Sequence, residues 1–196
     1  MDKELLEKIK KLREETGAPI GLCKEALEAT SGNFEEAKKY LIKKGESLLE
    51  KKKEKESKIG IIEGYVHFNG KVGALVEMKA ETDFVARSEE FKKLAHEIAL
   101  QIATMNPLYL SKESIPKEDL EEKIKEFEEE VKDKPKDIKE KIIEGKLEKW
   151  YEEVCLLEQK YFKDENLKIK DLIYSTANKF GEKIEVTRFV RLSIND

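Results

Sequence analysis

Acid–base, nucleophilic and metal chemistry all need side chains that this chain holds in small supply: two histidines and two cysteines among 196 residues. His67 falls in a run of β-formers (Tyr65, Val66, Phe68) and His96 in a helical run (Leu94, Ala95, Ile98). Neither is paired by spacing with a carboxylate or a thiol, as a general base would be. Cys23 stands beside Lys24, a cation able to lower a thiol pKa, yet on a small helical bundle the same residue reads first as a buried hydrophobe. Cys23 and Cys155 belong to no C-x-x-C pair, so neither a zinc site nor a disulfide framework is indicated, and a reducing interior is the expected setting. Phosphate-cradling glycine loops, H-E-x-x-H and G-x-S-x-G are all missing. Carboxylates are so abundant, at 43 Asp and Glu, that pairs of them discriminate nothing. A protein that is not an enzyme, with no cofactor and no metal, is the expectation.

What remains is binding chemistry, and it concentrates in Glu81-Thr82-Asp83-Phe84-Val85-Ala86-Arg87. The run follows an alternating strand with Val72, Ala74, Val76 and Met78 on one face, and precedes Ser88-Glu89-Glu90, a capped helix start with carboxylates in its first turn. Such strand-to-helix junctions tend to present side chains. Asp83 beside Phe84 combines a charge with an apolar ring, whose burial against a partner is worth roughly 1.5–3 kcal/mol. A surface of this kind can anchor to a partner and disturb a charged site within it. Read from residue type alone, the stronger expectation is the plainer one, in which Phe84 plugs the core of its own molecule, and periodicity does not settle between the two.

The elements that must position this junction follow from pattern. Leu5, Leu6, Ile9 and Leu12 recur at helical spacing up to Gly17; a second helix runs from about Leu22 to Thr30. Asn33 and Glu36 start a third, with Phe34, Ala37 and Leu41 inside and Gly45 beyond its end. Residues 1–45 therefore read as a three-helix bundle resembling ubiquitin-associated (UBA-like) domains, and 46–58 as a charged linker. Residues 59–196 read as a core and dimerisation domain. Two strands flank Asn69-Gly70, a strong hairpin signal, and a long helix follows through Phe91, Leu94, Ile98 and Ile102. Two charged helices separated by Lys134-Pro135 suggest a helical hairpin, and Asp164-Glu165-Asn166 a polar turn. A last helix ends at Gly181, and Ile184 to Leu192 alternates as a third strand with Phe189 pointing outward, away from Val190 and Leu192. The fold class is α+β: a UBA-like bundle followed by a small antiparallel three-stranded sheet packed with helices and a helical hairpin.

Composition narrows the function further. With 42 % charged residues and a net charge of -4 there is no global basic field for nucleic acid or anionic membrane. No run of 18 apolar residues and no amino-terminal targeting pattern occurs, so a cytoplasmic location is expected.

Thr82-Asp83-Phe84-Val85-Ala86-Arg87 resembles the signature of the bacterial elongation factor Ts family, and it stands between a hairpin and a long helix as the family requires. Further matches are Leu12-Arg13-Glu14-Glu15-Thr16-Gly17-Ala18, Cys23-Lys24, Ala26-Leu27, Leu157-Glu158-Gln159 and Phe180-Gly181-Glu182 with Arg188. The length is like that of short members, which lack the extra coiled-coil subdomain and the duplicated core. The resemblance implies guanine nucleotide exchange on elongation factor Tu, with Thr82, Asp83, Phe84 and Val85 displacing the partner's Mg²⁺ and Lys24 contacting its G domain. It also implies a homodimer. Where the family usually has glycine, two methionines and an aspartate, this chain has Pro19-Ile20-Gly21-Leu22. The alternative of another class is a pure binding module, in which the bundle recognises a ubiquitin-like or ribosome-associated partner on a dimerising scaffold.

Overall fold

A computed structural model describes residues 3–133 and 135–194. These form an α+β fold with eight α-helices, a three-stranded antiparallel sheet and a smaller two-stranded one. Helices α1 (Lys3–Thr16), α2 (Ile20–Ala29) and α3 (Phe34–Lys51) come first. Asn33 Oδ1 accepts the Glu36 N–H and so caps α3. Ile9, Leu12, Cys23, Leu27 and Leu41 close a small core of their own between the three helices.

Helix α3 does not stop before Gly45. It runs on to Lys51, through the first part of the stretch read as a charged linker, and Gly45 is buried within it. The reason is packing against α8 (Ile169–Phe180): a Cβ at Gly45 would stand 2.2 Å from the Tyr174 carbonyl oxygen. Glycine here permits two helix backbones to touch. The last turns of α3 then place Leu48 and Leu49 on the main core.

That core lies under the sheet. Strands β1 (Ile59–Val66) and β2 (Val72–Ala80) pair around the Asn69-Gly70 turn, and β5 (Ile184–Ser193) adds to the other edge of β2. Ala74, Val76, Met78 and Ala80 face inward, as the alternation predicts, against Phe91, Leu94, Ala95, Ile98 and Ile102 of α5 (Glu89–Met105). Ile169, Ile173 and Ala177 of α8 complete the layer.

The unbroken alternation expected of β5 is corrected by the structure. Its register against β2 shifts between Glu77 and Met78, which leaves Thr187 as an extra residue in a β-bulge. Thr187 Oγ1 donates to the Glu77 carboxylate at 2.6 Å. One added residue exchanges the two faces for everything that follows. Phe189 therefore turns to the core side, opposite Val76, and Val190 and Leu192 turn outward.

The helical hairpin is α6 (Lys117–Glu130) with α7 (Lys136–Val154). The polar turn read around Asp164 is part of a short hairpin, β3 (Lys160–Tyr161) with β4 (Asp164–Lys168). Buried amides tie it to α5: Gln101 Nε2 donates to Gln159 Oε1 at 3.1 Å and to the Lys160 carbonyl at 3.0 Å. No helix among the described residues is long and apolar enough to cross a membrane.

Candidate functional site

Between β2 and α5 the chain makes a single turn of helix, α4 (Asp83–Ala86). Thr82 is its N-cap, with Oγ1 accepting the Val85 N–H at 3.4 Å. Ser88 caps the next helix: its Oγ accepts the Phe91 N–H at 3.2 Å and donates to the Val85 carbonyl at 2.8 Å. Two caps six positions apart leave α4 no room to extend, and they set which way each side chain points.

Val85, 1 % exposed, and Ala86 turn into the main core, whereas Phe84 turns out and is 79 % exposed. Of the two readings the sequence left open for Phe84, the presented ring is the one in the structure. Asp83 sits beside it, exposed, with its carboxylate accepting from Arg87 Nε at 2.8 Å. Val85, expected with these residues as a partner contact, has its side chain in the main core, where it anchors the corner.

Two carboxylates that pattern reasoning assigned no role form the base of this corner. Glu81 accepts from Lys52 Nζ at 2.7 Å, from Lys55 Nζ, and from the Lys183 backbone N–H at 2.6 Å. Burial alone would raise its pKa, but the hydrogen bonds from Lys52, Lys55 and Lys183 outweigh this and hold it at about 2. Glu182 accepts from the Thr82 N–H at 3.0 Å and from Thr82 Oγ1 at 2.7 Å. Both contacts span about a hundred residues of sequence, so no local signal reveals them; the match of Phe180-Gly181-Glu182 to the family was the one available pointer.

Lys24 lies on the exposed side of α2, with Nζ 3.6 Å from the Glu28 carboxylate one turn on. It belongs to the bundle with its separate core, while Thr82, Asp83 and Phe84 are brought together on the main core. Ile20, within the segment that departs from the family pattern, is exposed at the start of α2, and Leu22 packs against the bundle core.

The remaining chemistry-bearing groups are occupied. His67 Nδ1 is 2.9 Å from the Tyr65 hydroxyl, and His96 Nδ1 is 3.0 Å from the Glu63 carboxylate. Cys23 and Cys155 are both buried; burial pushes the Cys23 thiol up and carries that of Cys155 to about 11, away from the reactive thiolate. Among the described residues no group of three or more His, Cys, Asp or Glu is placed to hold a metal ion.

A family model described as Elongation factor TS matches residues 4–196. This chain belongs to the elongation factor Ts family. Elongation factor Ts of Thermotoga petrophila is 51 % identical over 188 residues, which cover 96 % of this chain and 94 % of that protein. Elongation factor Ts of Thermodesulfovibrio yellowstonii is 48 % identical over 187 residues, covering 95 % and 94 %. That of Fervidobacterium nodosum is 47 % identical over 190 residues, covering 96 % of each chain. As a member of the elongation factor Ts family the chain has the role of a translation elongation factor, and the exposed Asp83–Phe84 pair lies in the segment that resembles the family signature.

Proposed function

We propose that this chain is a guanine nucleotide exchange factor for elongation factor Tu, acting in the cytoplasm without covalent chemistry of its own. The observation that carries the reading is Phe84, 79 % exposed beside the Asp83 carboxylate on a corner whose base is tied down. A P-loop GTPase holds GDP through phosphate-loop amides, a lysine and a Mg²⁺ ion, contacts that depend on fine geometry. Phe84 buries its ring in the G domain near that site, and Asp83 exchanges Arg87 for groups of the partner. Together they dislodge the partner's Mg²⁺ and let the phosphate loop relax. Thr82 and Val85 complete the contact segment that the resemblance implies. Lys24, on a bundle read as UBA-like, supplies a second contact to the G domain.

The energetics are those of two ligands that weaken one another. If the factor binds best to the form with a distorted nucleotide site, nucleotide and factor lower each other's affinity by one common ratio. Each tenfold needs about 1.4 kcal/mol. One buried ring, at roughly 1.5–3 kcal/mol, supplies one to two such factors before any polar contact is added.

The test is release of fluorescent GDP from elongation factor Tu, followed on mixing with this protein. Phe84→Ala is expected to slow stimulated release by about tenfold or more while the melting curve stays put, because the ring touches little of its own molecule. An unchanged release rate would overturn the reading.

The same protein is read as a homodimer through the outer face of its sheet. Ile62, Leu75, Val66, Val190 and Leu192 are exposed there, an aliphatic surface without a cover, and such a face is suited to a copy of itself. Sedimentation of Leu192→Glu is expected to show monomers where the parent shows dimers; a parent that sediments as a monomer at micromolar concentration removes the dimer.

A further inference from the structure

We propose that Glu182 is a positioning residue for exchange: by binding both polar hydrogens of Thr82, its carboxylate fixes the entry to α4 and thereby the direction in which Phe84 projects. This rests on the exchange reading above and names the device that makes the wedge rigid.

A four-residue helix cannot hold itself, since forming one turn fixes several dihedral angles for a single hydrogen bond. Something outside α4 must therefore define it. Its inner side is anchored by Val85 and Ala86, but its amino-terminal entry lies beyond the last paired residue of β2, Ala80, and gains nothing from the sheet ladder. There Glu182 receives the Thr82 N–H through Oε2 at 3.0 Å and the Thr82 hydroxyl through Oε1 at 2.7 Å. With its proton committed to Glu182, Thr82 Oγ1 presents lone pairs to the Val85 N–H. Both bonds to the carboxylate are charge-assisted, the strong class of hydrogen bond.

The turn that carries Glu182 is itself immobilised. Gly181 ends α8 in the left-handed region at φ 67, and its carbonyl accepts from Lys52 Nζ at 2.7 Å. The same ammonium reaches Glu81 at 2.7 Å. The two carboxylates are also reciprocal: Glu81, before Thr82, takes the N–H of Lys183, while Glu182, before Lys183, takes the N–H of Thr82. A crossed pair of this kind fixes the two chain segments in angle as well as in separation. None of these atoms belongs to the apolar core, so the device can be removed without opening a cavity.

Two measurements test it. In GDP release at varied factor concentration, Glu182→Ala is expected to lower the rate at saturating factor by about tenfold, roughly 1.4 kcal/mol, with an unshifted melting curve. Glu182→Gln, which keeps an acceptor for the Thr82 N–H and a donor for its hydroxyl, is expected to recover most of that loss. In a Phe84→Ala background Glu182→Ala is expected to add nothing, because the group it positions is gone. Equal losses in the two backgrounds, or no loss in either, would overturn the assignment. The second measurement is amide hydrogen exchange on the isolated protein, where Glu182→Ala should speed exchange across residues 84–87 and leave α5 protected. Unaltered protection of α4 sinks the positioning role whatever the release assay shows. A null effect of Phe84→Ala with loosened α4 sinks the exchange reading instead.

Discussion

Phe84 and Phe91 are the same side chain seven positions apart on successive helices, and their surroundings are opposite. Phe91 is wholly buried in the main core; Phe84 is 79 % exposed. The apolar character of the ring is common to both, so it decides neither. What differs is the frame. Phe91 stands on a seventeen-residue helix whose apolar stripe lies along the sheet. Phe84 stands on a four-residue helix pinned by Thr82, Ser88, Glu81 and Glu182, and its neighbours Val85 and Ala86 take the inward directions. Burial of one ring stabilises the fold, and the polar frame under the other keeps a surface that the fold itself does not need.

Substitutions along this contrast separate its two halves. Phe91→Ala removes a ring from the centre of the core and is expected to lower stability by ~3–5 kcal/mol, read from urea unfolding. Release activity per folded molecule should survive it. A loss below about 1 kcal/mol would mean that the core has closed over the vacancy, beyond what tight packing permits.

Glu81→Gln acts on the frame. Because the folded carboxylate is held at about 2, below its ordinary value near 4.5, its contribution to stability is complete above pH 4.5 and is lost as pH falls toward 2. The parent is therefore expected to show an acid limb in melting temperature across that interval. The variant should show a shallower one and a lower plateau at neutral pH. Parallel profiles would show that the Lys52, Lys55 and Lys183 bonds carry no net stability. Smallest in stability is Phe84→Ala, expected within ~0.5 kcal/mol of the parent. A larger loss would place Phe84 with Phe91 and dissolve the contrast.

Much of the scaffold was legible because its signals are local. Asn69-Gly70 announced the β1–β2 turn, Ser88 and Asn33 the helix starts, and period-two and helical spacing the inward faces of β2 and α5. The corner was legible too, as a junction bearing Asp83 and Phe84. The errors arose where one residue or a distant contact overruled a pattern. Thr187, bulged out of β5, reversed Phe189, Val190 and Leu192, which alternation had set on the wrong faces. Gly45 looked like a helix terminator and proved to be a point of contact between helices, since a glycine that ends a helix and one that admits a neighbouring backbone are the same letter.

Local caps, turns and periodicity act over a few residues, and from them alone the sequence determined an α+β chain with an acidic–aromatic pair at a strand-to-helix junction; the resemblance of Thr82–Arg87 to a family signature added the elongation factor Ts family. Whether the aromatic ring faced inward or outward was decided by tertiary structure. That choice depends on Val85 and Ala86 filling the core and on Glu182 reaching Thr82 across a hundred residues, and contacts at such separation leave no trace in local spacing.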